Sequence, residues 1–339
     1  MRSWQIIEPK KLELVTREGV KPKSKEVRVK VTYASLSASD MLLYSGDFRG
    51  AAYPVTMGRH AVGVVVETGD EVRFVDRGDR VAIDPYVACG ECPRCVEDED
   101  SCLNLTVSGV SCEGLMSDIV TVSGDNIKKL PEQVSDVDAL FVEQIAIATK
   151  ALDKLDLNKG DHVVIMGASV IGLICAQAAI YYQLVPIMVD SRSDRLSMAS
   201  KLGAYYTVNS GEVDTYKKVR TITGGRMADA MVYCTATAQK LPNALECLAK
   251  NGKAVLTGFC GVAPDLKGDL TVAYDRQIDI YSVSNGSKNF SGAINMLANK
   301  SVAVSSFVSK EAEFEEVGAV VEEIAQNPDR YIKVVVKHK

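Results

Sequence analysis

The chain carries no surplus of basic residues: 39 Lys and Arg stand against 44 Asp and Glu, a formal net charge of −5. That balance speaks against nucleic acid as a main partner. An apolar signal region is also missing from the opening Met1-Arg-Ser-Trp-Gln5, so the expected location is cytoplasmic. There are no internal repeats, low-complexity tracts or long linkers. Histidine is scarce, three among 339 residues. Apolar side chains are plentiful, 47% against 24% charged, which suffices for sizeable cores. At this length two domains are expected.

One stretch lacks Asp, Glu, Lys and Arg altogether, from His162 to Val189. It does not read as a membrane span, because Gly167, Gly172 and Pro186 punctuate it and Gln177 and Gln183 interrupt it. A buried parallel strand with its crossover helix is apolar throughout in the same way. His162 to Met166 is the strand, 167 to 172 a glycine turn, Leu173 to Ile180 a helix, and Pro186 to Val189 a second strand ending in Asp190. That order suits a dinucleotide. Gly167 permits the tight turn, and Gly172 lets helix and sheet pack closely. A helix opening near Val170 and Ile171 offers N–H groups to a pyrophosphate. Ser169 stands where the motif has its middle glycine, which would crowd the approach. Asp190 would accept from ribose hydroxyls and repel a 2′-phosphate, favouring NAD over NADP. Arg195, opening the next helix, joins this cofactor set.

The nine cysteines are unevenly spread. Cys89, Cys92, Cys95 and Cys102 crowd into one short segment, and thiolates at this spacing can wrap one tetrahedral zinc. No histidine lies among them, so the expected site is closed and structural. Cys112, Cys175, Cys234, Cys247 and Cys260 read as core residues.

Residues 1 to about 130 read as short strands with Gly/Asp turns, among them Val27 to Val31, Val62 to Val66 and Arg80 to Ile83. Residues 137 to 155 have helical spacing. Glu143 within them is either a surface residue or a site carboxylate; the period does not decide. From 160 to about 285 strands alternate with helices, including a helix from Leu241 to Ala249, as in a doubly wound parallel sheet. A last strand, Ile332 to Val336, is expected to rejoin the first domain.

Together these residues resemble the zinc-containing medium-chain dehydrogenases, the family of alcohol, sorbitol, threonine and sugar-acid dehydrogenases. The resemblance rests on Gly78-Asp-Arg-Val81, Asp84-Pro-Tyr-Val-Ala-Cys-Gly90, the four cysteines, and the 167–172 turn with Asp190. Within the family, the Asp84 segment is most like the L-idonate and L-galactonate branch. The resemblance implies an α/β protein: a GroES-like β-barrel-type catalytic domain (1–147 and 288–339, with a zinc lobe at 85–112) and a Rossmann domain with a doubly wound parallel sheet (148–287). It also implies NAD, one structural zinc, a small-molecule substrate, and a homodimer or homotetramer. The family's lobe has one residue more before the fourth cysteine.

The reaction centre departs from the family. Ser37-Ala-Ser39-Asp40 stands for Cys-Gly-Ser/Thr-Asp, and Gly58-Arg59-His60 for Gly-His-Glu. A zinc-binding cysteine is thus Ser37 and a zinc-binding histidine is Arg59. A serine hydroxyl is a poor ligand, and Arg59 brings a fixed charge to the cation's place. His60 and Glu143 alone keep ligand chemistry, two where three are wanted. The expectation is that Arg59, paired with Asp40 or Glu143, replaces the metal. Ser39 matches the family's proton-relay hydroxyl, and for Ser37 and Ser39 a plain turn is the competing reading. His60 is either a general acid/base titrating near neutrality or a satisfied structural histidine. Tyr233-Cys-Thr-Ala236 stands for the family's Asp-Ala-Thr-Gly. Three functions remain open: an NAD-dependent oxidoreductase on a polyol or sugar acid, a zinc-independent carbonyl or enone reductase, and a non-catalytic NAD-binding relative.

Overall fold

The computed structural model describes residues 1–259 and 268–339, without the side chains of Val96 and Glu99. Cys260, expected in the core, lies with residues 261–267 outside the described residues. The chain forms two compact units. The first is Met1–Glu143 with Phe290–Ala298 and Val304–Lys339; the second is Gln144–Asn289 with Asn299–Ala303.

The first unit is built on a seven-stranded sheet. Its order is Ile127–Lys129, Arg80–Ile83, His60–Thr68, Glu26–Leu36, Lys333–Lys337 and Val308–Glu313, with Ile119–Ser123 pairing the long central strand as well. Alternation shapes that central strand: Val27, Val29 and Val31 are fully buried, each worth roughly 1.5–3 kcal/mol. The last strand rejoins this sheet as expected, with Val335 beside Ser35. A smaller sheet carries Arg2–Glu8 between Lys11–Thr16 and Val55–Thr56. Trp4 is buried there and donates to the Phe314 carbonyl at 2.8 Å.

The second unit is a six-stranded parallel sheet ordered Tyr206–Asn209, Val185–Asp190, His162–Met166, Ala228–Tyr233, Leu248–Leu256, Asp279–Ser282. The order reverses between the His162 and Ala228 strands, and ligands of such sheets bind at that point, outside the carboxyl ends. The fold class is therefore the expected one, GroES-like plus Rossmann.

Two elements differ from the sequence reading. Residues 137–155 form two helices, Asp136–Ala139 and Val142–Leu155. Ser135 caps the first, and Phe141 at the break packs edge-on against Phe307. The helix from Leu241 stops at Leu245, and Leu248 already belongs to a strand. Buried Leu245 and Leu248 satisfy either period; pairing with the Ala228 strand decides for the sheet.

Candidate active site

Ser37 ends the central strand and caps the helix Ala38–Ser45. Its Oγ accepts from the Asp40 N–H, while Asp40 Oδ2 accepts from the Ser37 N–H at 2.8 Å and the Ser37 hydroxyl at 2.5 Å. This reciprocal arrangement is a capping box. Ser39 Oγ lies 2.8 Å from Ser37 Oγ and is buried. Asp40 also reaches back to accept from the Gly58 N–H at 2.7 Å. Burial pushes the Asp40 carboxyl upward against these bonds. Gly58 has φ 93°, and a Cβ there would come 2.7 Å from the Met116 nitrogen, so only glycine lets the chain pass. The serines thus form a cap, with Asp40 pinning the turn that launches Arg59.

Beyond that turn six charged or polar groups share hydrogen bonds. Arg59 Nη2 donates to Glu143 Oε1 at 2.9 Å and to the Tyr86 hydroxyl at 2.8 Å. Tyr86 in turn donates to Glu143 Oε1 at 2.5 Å. His60 Nε2 stands 3.1 Å from Glu143 Oε2. Lys333 Nζ lies 3.2 Å from His60 Nδ1, with Ser35 Oγ at 3.3 Å. An ammonium has only protons to give, so Nδ1 accepts from it; Nε2 then carries hydrogen and donates to Glu143. The Lys333 ammonium also stands over the Phe141 ring, 5.4 Å from its centre.

Glu143 is buried and bonded by Arg59, Tyr86 and His60, and Arg59 pairs with it rather than with Asp40. Asp40's oxygens are taken by Ser37 and Gly58. The reading of His60 as a near-neutral acid/base is corrected: burial and the adjacent Lys333 cation push it down to about 4. Burial also lowers Lys333, to about 8, although Glu143 and Asp40 oppose this. Burial disfavours the Glu143 charge, but Arg59, His60 and Tyr86 outweigh it and hold the carboxyl well below its usual range.

Sequence reasoning missed Lys333 and gave Tyr86 no role at the site. Tyr86 stood inside the quoted Asp84-Pro-Tyr segment. Lys333 is separated from His60 by 273 positions. Its one sequence signal is a charge placed in the run Ile332-Lys-Val-Val-Val.

The residues here do not fit a second metal ion. Both His60 nitrogens are engaged, Ser37 is tied to Asp40, and Arg59 is a cation. The four cysteines do fit one. Their Sγ atoms all lie within 4.8 Å of one another, with pairs at 3.4, 3.6 and 3.8 Å. Thiolates about 2.3 Å from one tetrahedral zinc stand roughly 3.8 Å apart. The missing lobe residue leaves this cluster closed. Of the other cysteines, Cys175, Cys234 and Cys247 are buried and Cys112 is half-buried.

In the second unit the turn is cramped. A Cβ on Gly172 would sit 1.9 Å from the Gly167 carbonyl oxygen, and one on Gly167, at φ 99°, would lie 2.7 Å from Thr235 Cγ2. The helix Val170–Tyr181 begins with Ser169 as its cap, the hydroxyl accepting from the Gly172 N–H at 3.3 Å. Ser169 therefore acts on its own helix start, and Val170 and Ile171 form the first turn. Asp190 Oδ2 accepts from the Ala168 N–H at 2.7 Å and Oδ1 from the Arg192 N–H at 2.8 Å. The Arg192 guanidinium turns away to Asp194. Arg195 lies in the helix Ser193–Lys201.

Two family models match, the alcohol dehydrogenase GroES-like domain over residues 23–132 and the zinc-binding dehydrogenase domain over 170–299. An uncharacterized zinc-type alcohol dehydrogenase-like protein of Haemophilus influenzae is 32% identical, covering 91% of this chain and 90% of the relative. The chain belongs to the zinc-containing medium-chain dehydrogenase family. A sorbitol dehydrogenase of Halalkalibacterium halodurans is 29% identical over 86% of this chain and 85% of its own. Among solved structures, an alcohol dehydrogenase of Escherichia coli CFT073 complexed with the cofactor NADH superposes with a TM-score of 0.90 at 26% identity, covering 99% of each chain.

Proposed function

We propose that this chain is an NAD-dependent oxidoreductase moving a hydride between nicotinamide and a polyol, sugar acid or related hydroxy or keto compound. A zinc ion sits in the Cys89–Cys92–Cys95–Cys102 lobe, and the catalytic zinc of the family is absent. The observation that carries the cofactor choice is Asp190, anchored by two backbone N–H groups at the end of the second Rossmann strand. A carboxylate so fixed receives ribose hydroxyls and repels a 2′-phosphate. Bound NAD would supply the hydride acceptor. Gly167, Gly172 and the helix start at Ser169, Val170 and Ile171 receive its phosphates, with Arg195 beyond Asp190.

Arg59 polarises the substrate oxygen or holds a substrate carboxylate, positioned by Glu143 and Tyr86. Ser39 takes the hydroxyl proton while its own moves to Ser37 and that of Ser37 to the Asp40 carboxylate. His60 holds Glu143 and keeps its own proton. The substrate is a small molecule. No helix among the described residues is long and apolar enough to cross a membrane. The assembly proposed is a homodimer or homotetramer, to be checked by light scattering.

Fluorescence titration with NADH and NADPH tests the reading, followed by turnover assays on polyols and hexonates. Tighter NADH binding with turnover supports it. Preference for NADPH with enone turnover favours the zinc-independent reductase, and NADH binding without any turnover favours the non-catalytic relative.

A further inference from the structure

The line Lys333–His60–Glu143–Arg59 has a charge count that the family comparison makes meaningful. Two cations, Arg59 and Lys333, face two buried carboxylates, Glu143 and Asp40. The Arg59 side chain is 12% exposed, and the other three are buried. Buried charge persists only where it is matched. Glu143 is matched directly by Arg59 and, through His60, by Lys333, while Ser37 and Gly58 hold Asp40. The sum of the two side-chain cations equals the charge of a divalent ion, and a further divalent ion would be repelled by both. It would also find no coordinating atoms, since His60 Nδ1 and Nε2 are engaged by Lys333 and Glu143. Among the described residues only the four cysteines gather three or more metal-ligating atoms.

We propose that Arg59 and Lys333 act as one unit, a fixed pair of cations standing in for the charge of the family's catalytic zinc, with neutral His60 as the bridge that transmits Lys333's hold to Glu143. This rests on the reading of the network as the reaction centre. Lys333 is a positioning residue. Its ammonium fixes the His60 tautomer with hydrogen on Nε2; that N–H fixes Glu143 Oε2; and Glu143 Oε1 fixes Arg59. Arg59 alone faces the substrate. The depressed proton affinity of His60 agrees with a cation held at Nδ1.

The test reads metal content and His60 protonation, not turnover, so its failure is distinct from a failure of the proposed activity. Wild type, Cys92→Ser, Lys333→Met and Lys333→Arg, purified without a metal-affinity tag, are dialysed against excess zinc and then against buffer. Side-chain 15N NMR then follows His60, assigned with His60→Gln. The expected result is one zinc per wild-type chain and none in Cys92→Ser. His60 stays neutral with hydrogen on Nε2 from about pH 5 to 8 in wild type and in Lys333→Arg. In Lys333→Met its midpoint rises, because a neighbouring cation no longer opposes protonation. A zinc retained by Cys92→Ser and lost on His60→Ala overturns the proposal. So does a wild-type His60 that titrates near neutrality, carries hydrogen on Nδ1, or keeps its midpoint in Lys333→Met. Should Lys333→Met fail to fold, the zinc count, the wild-type tautomer and the Lys333→Arg titration still decide.

Discussion

The glycine turn of the second unit and the charged line of the first are built in opposite ways. The turn comes from one continuous segment, Met166 to Asp190, and its main bonds close within that segment: Ser169 caps Gly172, and Asp190 receives Ala168. The charged line comes from four separated segments, carrying Arg59 and His60, Tyr86, Glu143 and Lys333. Its energetics are set by burial and by mutual charge, which no single segment displays. A local site tolerates the loss of one hydrogen bond by relaxing into water. A buried charge network does not, because each group left alone must bear its own desolvation.

That contrast predicts its largest effect at Glu143. Glu143→Gln removes the anion that Arg59 bonds directly and Lys333 reaches through His60, leaving buried Lys333 and partly buried Arg59 without it. Loss of one partner from a buried pair costs about 3–5 kcal/mol. Urea unfolding should show that loss in the first unit, with NADH affinity of any folded fraction kept. A change under about 1 kcal/mol would mean that water reaches the network and that it behaves as a surface cluster.

The cysteine lobe lies between the two extremes, a local cluster whose spacing fits a metal ion. Cys92→Ser or a strong chelator should remove the single zinc and lower the melting temperature. Zinc binding couples to folding of the loop that supplies its ligands. The Asp190 turn lies in the other unit, so NADH affinity should be unchanged. Zinc assay with calorimetry checks both statements.

In the turn itself, Gly172→Ala places a methyl group against the Gly167 carbonyl, where a Cβ would be 1.9 Å away. Overpacking of this kind costs roughly 1–3 kcal/mol. Because the shift falls on the helix start, it should appear as about fivefold to a hundredfold weaker NADH binding. The His60 titration in the first unit should not move.

How far the sequence reveals each region follows from the same contrast. Gly167, Gly172, Asp190 and the four cysteines are readable because their chemistry needs fixed spacing along the chain. Arg59 stands out only through its place in a family pattern; Glu143 stands out within residues 137–155, where the period does not decide its role, and the sequence leaves Arg59's partner open between Asp40 and Glu143. His60 shows the limit: its residue type suggests titration near neutrality, and burial together with Lys333, arriving from the last strand, reverses this. Lys333 hides because Lys333 to Lys337 has the look of an ordinary strand with charged ends. In the sheet its first charge is buried and its second exposed. The helix expected from Leu241 to Ala249 failed for a related reason, since apolar spacing cannot report that Leu248 finds a partner strand.

The smallest effect, per unit of pH, separates two histidines that are both held neutral. His60 is kept so by burial and by Lys333; His338 by burial, which lowers it to about 4 even with Asp118 and Glu315 nearby. Neither ring nitrogen of His338 has a hydrogen-bond partner among the described residues, and the ring lies 4.5 Å from that of Phe314. Both histidines bind protons less well folded than unfolded. Below pH 6.5 the unfolded chain takes up protons that the folded chain refuses, so stability falls as pH drops from 6.5 toward 4 and is fully present above 6.5. Each contributes a slope of at most about 1.4 kcal/mol per pH unit. His338→Phe should remove one proton's worth of that slope and leave the other. It should also stabilise the protein at pH 7, since an apolar ring replaces two unpartnered polar atoms. Lys333→Met also flattens the acid slope, by raising the proton affinity of folded His60 rather than by removing a titrating group. Urea unfolding at several pH values distinguishes the two, and equal slopes in wild type and His338→Phe would show that His338 titrates freely.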